Sequence, residues 1–453
     1  MTAGSGILHF GPGAFHRAHQ ADYVNRLLVD DPRWGIAAIS LRSGATIEAL
    51  ARQQGRYTLA ILDAEPDYRT IRAHTAWHGP GEERAVRACL ADPKTRIVTS
   101  TVTEKGYCLG PDGVLDVSHP DIVHDLSAPE TPRSLVGWLA LGLTDRRAAG
   151  NPPFTALCCD NMASNGRKLG AAVQAFAEAR DAELGRWIAG EARFPNCMVD
   201  SITPATDDAL RRRVRDATGY DDAIPVARET YSAWVIEDVL PPDGPDFASA
   251  GAIVTSGVEG YELAKLRILN GTHSALAYIG LLRGHATVAQ AMDDPWLADF
   301  AESLIRSEVI PVLGDRCGFD LDAYAGDVLC RFRNPAIGHK LAQIAWDGSQ
   351  KLPYRLLDSI TDARAAGLPF ARLAKAVAAW MRFVQRRTQN AVPIVDPLAE
   401  RLAALARQGG DDLTLLDSLL GLRQVFPAEL ASNGEFRAAL RAGLATLEEN
   451  VNA

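Results

Sequence analysis

Short apolar runs alternate with helical stretches through the first half of the chain, and this alternation limits the folds open to it. Four runs have the length and apolar character of buried strands: Gly6–Phe10, Gly35–Leu41, Thr95–Thr103 and Phe154–Cys159. Segments with helical spacing separate them: Phe15–Leu28, Glu82–Ala91, Ser134–Ala149 and Gly166–Arg180. Strands that alternate with helices build βαβ units around a mainly parallel sheet. We therefore predict an α/β fold, with a Rossmann-like, doubly wound sheet in this half.

The pattern changes after Gly257, where apolar residues take up helical spacing. The predicted helices are Lys265–Leu282, Pro295–Val312, Pro335–Trp346, Phe370–Thr388, Asp396–Arg407 and Phe436–Asn450. This spacing indicates a mainly α-helical second domain. Since 453 residues exceed what a single core normally organises, we expect a dinucleotide-binding domain at 1–257 and a substrate and catalytic domain at 258–453.

Composition excludes several classes of partner. The chain is 47% apolar and 23% charged, with a formal net charge of −9, which argues against nucleic acid or an anionic membrane as the main partner. No signal peptide and no apolar run near about 18 residues is evident, so we expect a cytoplasmic protein. The seven cysteines lack CxxC or zinc-type spacing, which predicts reduced thiols and no bound metal.

A glycine-containing loop follows the first predicted strand. Gly11-Pro-Gly13 lies between a strand and a helix, the position in which backbone amides can approach a pyrophosphate. The fingerprint is incomplete, because the third glycine of GxGxxG is replaced by His16. Arg17 could reach a phosphate. A tight turn without a ligand explains these residues equally well.

The end of the second predicted strand bears on the choice of cofactor. An acidic residue there normally binds the ribose of NAD, but the strand runs into Arg42 and Ser43, and the first acid is Glu48. Arg42 and Ser43 would suit a 2′-phosphate, so the sequence leaves both NAD and NADP open. A solvated loop is the plain alternative.

The segment Lys265–Ser274 (KLRILNGTHS) concentrates polar chemistry in an otherwise apolar helix. On a regular α-helix Lys265, Asn270 and His273 would span roughly 140° of one side. A lysine in such surroundings is paired, solvated by a cleft or shifted in pKa, and a shifted lysine can act as a base near neutral pH. The set predicts a catalytic site, although each residue alone has an ordinary structural explanation.

This helix motif resembles the signature of the polyol-specific long-chain dehydrogenases, the mannitol dehydrogenase family. Other matching segments occur in the expected order along nearly the whole chain: Gly11–Ala21, Thr101–Cys108, Cys159–Asn161 with Asn165-Gly166, Met198–Asp200 with Thr203-Pro204, Trp234–Asp238 and Asp347–Pro353. The resemblance implies a metal-free, nicotinamide-dependent oxidoreductase that interconverts a secondary alcohol and a ketone.

The resemblance also implies roles for individual residues. Lys265 matches the general base, and Asn161 and Asn270 match the amides that hold the alkoxide. The residues matched to the substrate side are His273, Asp200 and Lys351; the loops matched to the cofactor contain Gly11, Gly13, Ala14, Phe15, Thr103 and Glu104. These roles agree with the chemistry, because hydride loss needs a proton acceptor and fixed donors for the developing charge.

Departures from the family pattern affect the substrate side and one loop. Ser201 replaces a usual arginine, and Arg333 replaces a usual serine and adds a cation. Asp243-Gly244-Pro245 replaces Gly-Arg-Pro. Two branches are compared: fructuronate reductase, acting on the hexuronates fructuronate and mannonate, and mannitol 2-dehydrogenase. A uronate carboxylate needs a cation, and cationic candidates cluster in sequence at Arg333, His339, Lys351 and Arg355, which favours the hexuronate.

Two other functions stay open from the sequence. The incomplete glycine fingerprint is compatible with a dinucleotide-binding sensor without turnover, although a sensor needs no base such as Lys265. An epimerase that uses bound NAD is a third possibility. The expected partner is a small sugar acid or polyol; family members often work as monomers, and the sequence does not decide the oligomeric state.

Overall fold

The computed structural model describes residues 5–408 and 411–449. The chain divides into two compact units, Met1–Val258 and Glu259–Ala453. None of the helices in the described part combines the length and apolar character that crossing a lipid bilayer requires. All seven cysteines lie in the described ranges and are free thiols there.

The first unit has a five-stranded parallel sheet and two three-stranded sheets. Its strands are β1 Ile7–Phe10, β2 Ile36–Ile39, β3 Tyr57–Leu62, β4 Asp67–Ile71, β5 His74–His78, β6 Ile97–Ser100, β7 Thr155–Cys158, β8 Cys197–Asp200, β9 Val226–Glu229, β10 Ala233–Glu237 and β11 Ile253–Thr255. Its helices are α1 Ala14–Ala18, α2 Gln20–Leu27, α3 Ala45–Arg52, α4 Glu83–Ala91, α5 Pro120–Ser127, α6 Leu135–Ala148, α7 Asn165–Arg180, α8 Ala182–Glu191 and α9 Asp208–Thr218, with a 3-10 turn at Glu104–Tyr107.

The large sheet has the order β5-β2-β1-β6-β7, and all its pairs are parallel. The chain moves outward from β1 through β2 to β5 and then returns to β6 and β7 on the other side. This confirms the doubly wound, Rossmann-like prediction, and it puts the topological switch point between β1 and β6. Neighbouring residues of β1 enter different cores, Ile7 on one face and Leu8 on the other, so both faces are covered.

The smaller sheets have the orders β11-β10-β8 and β4-β3-β9. In the first, β10 pairs antiparallel with β8 and parallel with β11. In the second, β3 pairs antiparallel with β4 and parallel with β9. The sequence predicted four strands of the large sheet but not β5 (HTAWH), because this edge strand is half-buried and lacks a continuous apolar run.

The second unit is mainly helical, which confirms the predicted class. Its α-helices are α10 Val258–Ala264, α11 Gly271–Leu282, α12 Val288–Asp293, α13 Pro295–Leu304, α14 Ile310–Leu313, α15 Leu321–Phe332, α16 Leu341–Ile344, α17 Gly348–Leu352, α18 Asp358–Ala365, α19 Ala371–Gln389, α20 Ala399–Gln408, α21 Asp412–Leu420, α22 Ala428–Ser432 and α23 Gly434–Glu449. π-Helical segments occur at Lys265–Asn270, Ile305–Val309 and Pro353–Leu357, and 3-10 turns at Gly314–Cys317 and Pro335–Ile337.

Several predicted helices are interrupted. The predicted helix Phe15–Leu28 breaks at His19, whose backbone is not helical (φ −118°, ψ −89°). The predicted helix Pro335–Trp346 is instead a 3-10 turn and the short α16, because Gly338 between them has φ +60°. The helix predicted from Pro295 widens into a π-segment before Pro311, which has no N–H to donate. Asn450, the predicted end of the last helix, lies outside the described residues.

Candidate active site

Two segments approach closely at the switch point of the large sheet. Gly11 follows β1 with φ +86°, and a Cβ atom there would lie 2.3 Å from the carbonyl oxygen of Thr101, which follows β6. The Thr101 hydroxyl donates to the Gly11 carbonyl over 2.7 Å. Only glycine allows this approach. The loop after β1 is therefore held against the end of β6, where doubly wound sheets bind ligands.

Buried histidines support this loop from beneath. His9 Nδ1 lies 2.7 Å from the Thr99 hydroxyl, and His9 Nε2 lies 3.1 Å from the Gly11 carbonyl. The His9 and His16 rings stack with centroids 3.3 Å apart, and His16 Nε2 lies 3.0 Å from His74 Nε2. Burial lowers the pKa of His9 and of His74 to about 3. The histidine at the missing third glycine position thus belongs to a neutral, buried scaffold.

Arg17 is part of the same support. Its Nε donates to the Pro12 carbonyl over 3.2 Å and its Nη1 to the Ile224 carbonyl over 2.5 Å, and the side chain is buried. Gly13 is exposed, and Ala14 and Phe15 are half-buried. Arg17 therefore fixes the loop conformation through backbone carbonyls, and its contact with a phosphate stays a prediction.

A pocket opens beyond the carboxyl ends of β2 and β5. Its volume is about 270 Å³, and it is lined by Leu41, Arg42, Gly79, Pro80, Glu83, Val86, Asp121, Pro132, Arg133 and Trp138. Arg42 Nη2 donates to Asp121 Oδ2 over 3.0 Å. The sequence could not reveal this pair, because Asp121 comes from α5, 79 positions further along the chain.

The segments after β6 and β7 carry the next group of predicted residues. Thr103 and Glu104 are exposed. The Asp160 carboxylate accepts hydrogen bonds from the Val102 amide at 2.8 Å and the Tyr107 hydroxyl at 2.6 Å, and burial raises its pKa. Asn161, next to this anchored residue, is exposed. Elsewhere in the first unit, Asp200 is buried at the end of β8, opposite Ala233.

The predicted Lys265 helix differs from a regular α-helix. Lys265–Asn270 is π-helical, and the Gly271 amide donates to Leu266, five residues back. The expected spacing of about 100° per residue therefore does not apply across this turn. A Cβ atom at Gly271 would lie 2.8 Å from the Arg355 carbonyl, so glycine permits the close approach of the π-segment Pro353–Leu357. Lys265 is half-buried and Asn270 is buried. Wide turns of this kind are frequent at functional sites.

His273 is the centre of a polar cluster in the second unit. Its ring lies 4.5 Å from the Phe332 ring and 5.1 Å from the His339 ring, between centroids. Burial, His339, and the charges of Arg355 and Arg331 hold the pKa of His273 well below its usual value. Arg355 Nη1 donates to the Ser274 hydroxyl over 3.2 Å.

Three nitrogen atoms of this cluster are buried without a hydrogen-bond partner among the residues that the structure describes: His273 Nε2, His339 Nδ1 and Arg355 Nε. Each buried polar atom left unpaired costs about 1–3 kcal/mol. Their concentration around His273 indicates a place where a polar ligand would supply the missing partners.

Arg331 is the cation that the sequence interpretation missed. It is buried, and its charge lowers the pKa of His273, whereas Arg333, which we predicted, is exposed and donates from Nη1 to the Leu329 carbonyl at 3.4 Å. Arg331 follows Val328 by three residues on the buried face of α15, and this periodicity could have identified it. Lys351 Nζ donates to the Trp346 carbonyl over 2.6 Å at the surface of the same unit.

One group of possible metal ligands occurs in the described ranges. Ligand atoms of Cys108, His119 and Asp121 lie within 4.8 Å of one another. Burial raises the pKa of the Cys108 thiol to about 11, and His119 Nδ1 accepts the Asp121 amide over 3.2 Å. Asp121 also pairs with Arg42. His119 Nδ1 and the Asp121 carboxylate therefore each already have a partner in the protein.

Two family models together span nearly the whole chain. The model described as the mannitol dehydrogenase Rossmann domain matches residues 5–245, and that described as the mannitol dehydrogenase C-terminal domain matches residues 257–448.

Individual relatives and one solved structure extend along the same length. D-mannonate oxidoreductase of Escherichia coli (strain K12) is 41% identical, covering 98% of this chain and 93% of the relative. Mannitol 2-dehydrogenase of Phaeosphaeria nodorum is 36% identical, covering 98% and 79%. The ternary complex of Pseudomonas fluorescens mannitol 2-dehydrogenase with NAD and D-mannitol has a TM-score of 0.84 and 36% identity, covering 99% of this chain and 93% of that chain.

Proposed function

Because this chain belongs to the mannitol dehydrogenase family of oxidoreductases, we propose that it interconverts a secondary alcohol and a ketone on a hexuronate of the fructuronate and mannonate type, with NAD as cofactor. The similarity to D-mannonate oxidoreductase supports the substrate class, and the relative solved with NAD supports the cofactor. In this proposal the first unit binds the cofactor and the second supplies the base.

The cluster around His273 is the observation that carries the choice of an acidic sugar. Arg331 and Arg355 bring two guanidinium groups to the neutral His273 ring. Buried nitrogens at His273, His339 and Arg355 lack partners within the described ranges. A substrate with several hydroxyls and one carboxylate would satisfy such donors, and arginine pairs strongly with carboxylate. A neutral polyol could hydrogen-bond to the nitrogens but would offer no carboxylate to the two guanidinium groups.

Lys265 is proposed as the group that accepts the hydroxyl proton in oxidation and returns it in reduction. Lys265 is half-buried on a π-turn, and an uncharged lysine amine is a competent proton acceptor. The buried Asn270 amide is proposed to donate to the substrate oxygen as charge develops. Asn161 in the first unit has the same proposed role, on the family motif. Asp200 and Lys351 are proposed on the substrate side for the same reason.

The switch point fits a dinucleotide. Gly13 is exposed, and Gly11 packs closely against Thr101 because it has no side chain. The backbone of this loop therefore lies near the surface, where its amides could bind a pyrophosphate. The proposed contacts are Gly11, Gly13, Ala14, Phe15, Thr103 and Glu104, with Arg17 holding the loop. A bound nicotinamide supplies the hydride acceptor or donor for the reaction.

A spectrophotometric screen tests the proposal. Purified protein is assayed with fructuronate, mannonate, fructose and mannitol, each with NAD(H) and with NADP(H). The hexuronates should give the highest kcat/KM. Higher kcat/KM with mannitol and fructose would favour the second candidate, mannitol 2-dehydrogenase, which the match to that enzyme's ternary complex supports. Cofactor binding without turnover of any substrate would contradict both and favour a sensor.

A further inference from the structure

The pocket beyond β2 and β5 has the features of a nucleoside site. Its walls include the apolar side chains of Leu41, Val86 and Trp138, and Val86 and Trp138 are almost completely buried. Its volume of about 270 Å³ is near the lower end of small-molecule pockets, about 300 Å³. The pocket therefore suits one half of a dinucleotide rather than the whole.

The backbone connects this pocket to the glycine loop. The Gly11 amide donates to Ile39, the last residue of β2, and the Ser40 amide donates to His78, the last residue of β5. Leu41 and Arg42 follow Ser40 directly, and Gly79 and Pro80 follow His78. The pocket thus adjoins the loop on the side of the sheet away from β6.

Two of the residues that line this pocket, Arg42 and Asp121, form an ion pair. The pair lies after β2, where the acidic residue that normally binds the ribose is missing. Arg42 follows β2 by three residues, and its side chain is 77% exposed. It pairs at 3.0 Å with Asp121, whose side chain is 24% exposed. Exposed pairs of this kind stabilise a fold by about 0–1 kcal/mol. Either partner can therefore exchange this contact for a ligand at little cost.

We propose that Arg42 and Asp121 form an opposed pair that sets whether this chain accepts the cofactor with or without a 2′-phosphate. Arg42 binds the phosphate of the phosphorylated form. Asp121, delivered from α5, accepts the hydrogen bond of a free 2′-hydroxyl and replaces the acid that β2 lacks. The inference rests on the proposed function, since it assumes that a nicotinamide dinucleotide binds here. Glu83 and Arg133 also line the pocket. Their opposite charges add no net charge, so the preference between the two cofactors depends on Arg42 and Asp121.

Calorimetry with mononucleotides tests the pair without turnover. The probes are adenosine 5′-monophosphate and adenosine 2′,5′-bisphosphate, which differ only in the 2′-phosphate. Arg42→Ala should lower the ratio of bisphosphate to monophosphate affinity about tenfold, and Asp121→Asn should raise it about tenfold, the effect of one charge-assisted hydrogen bond. Arg42→Lys should keep most of the wild-type ratio. Arg52→Ala, an exposed arginine on α3, is the matched control and should change nothing.

The outcomes separate this inference from the function on which it rests. Ratios that do not change in Arg42→Ala and Asp121→Asn, or that move in the opposite directions, overturn the inference even if the enzyme turns over hexuronates. Failure of the wild type to bind either mononucleotide or NAD overturns the cofactor assignment as well. Parallel kcat/KM ratios for NADP and NAD in the two variants should shift in the same directions as the affinities.

Discussion

The imidazole of His273 meets that of His339 edge to face, with the ring centroids 5.1 Å apart and the planes at 87°. Nε2 of the first ring and Nδ1 of the second are both buried and lack a hydrogen-bond partner in the described part of the chain. An unpaired buried nitrogen costs about 1–3 kcal/mol, and a ligand that hydrogen-bonds to it removes this cost. In the proposed function the sugar supplies these hydrogen bonds, and the predictions for the second unit follow from that proposal.

Replacing Lys265 with alanine should remove the proton acceptor. We expect kcat to fall about 10²–10⁴-fold, the usual contribution of a general base, while the affinity for NAD measured by calorimetry stays within about twofold. Added methylamine should restore part of the activity of Lys265→Ala, because a small amine can occupy the vacated position. Lys94→Ala, at an exposed position, is the control. Full activity of Lys265→Ala without added amine would exclude this lysine as the base.

Arg331 and Arg333, two positions apart, provide a matched comparison that tests which arginine binds the carboxylate of the substrate. Arg331→Ala should lower kcat/KM for a hexuronate about 10–100-fold, the value of a hydrogen bond to a charged group. The loss with mannitol should be much smaller, and Arg331→Lys should recover part of the hexuronate activity. The exposed Arg333→Ala should stay within about twofold of the wild type. Equal losses of Arg331→Ala on the acidic and the neutral substrate would indicate a structural role instead.

Gly11→Ala should damage both the fold of the loop and cofactor binding. The new Cβ would lie 2.3 Å from the Thr101 carbonyl at φ +86°, so we expect a loss of about 2–5 kcal/mol in the free energy of unfolding. Gly150→Ala has a similar φ of +70° with no atom within 4 Å of the new Cβ, and should cost about 1 kcal/mol. Urea denaturation and NAD calorimetry measure the two effects. Similar losses of unfolding free energy in Gly11→Ala and Gly150→Ala would mean that the close approach of Gly11 to Thr101 does not affect stability.

The buried histidines predict loss of stability in mild acid. The pKa of His9 and of His74 is about 3 in the folded protein against an ordinary 6.5, so between these values the unfolded chain binds protons that the folded chain does not. Their stabilising effect is complete above pH 6.5 and declines as the pH falls toward 3. From pH 7 to pH 5 each should cost about 2 kcal/mol.

Denaturation at the two pH values measures this loss. In His74→Gln the decrease in the free energy of unfolding from pH 7 to pH 5 should be smaller than in the wild type by about 2 kcal/mol, whatever the absolute stability of the variant. An identical decrease in both proteins would mean that His74 takes up a proton in the folded state.

Much of the architecture was predictable because it depends on local periodicity. The apolar runs that became β1, β2, β6 and β7 are buried on both faces, and buried parallel strands need no context to be recognised. The edge strand β5 could not be predicted in this way, since it is only half-buried and has no continuous apolar run. The π-turn at Lys265 was also missed. It lies where the Arg355 carbonyl approaches Gly271, a contact that local sequence does not encode.

By itself the sequence determined the alternating strand–helix half, the helical half, the glycine loop and the polar Lys265 segment, since each is a matter of spacing along one element. Tertiary structure alone decided that the charge of Arg331 rather than that of Arg333 acts on His273, that Asp121 meets Arg42, and that His16 joins a buried scaffold. These pairings join residues 58 to 79 positions apart, as in His16–His74 and Arg42–Asp121. Which side chains meet at such separations depends on how whole elements pack, and no local pattern carries that information.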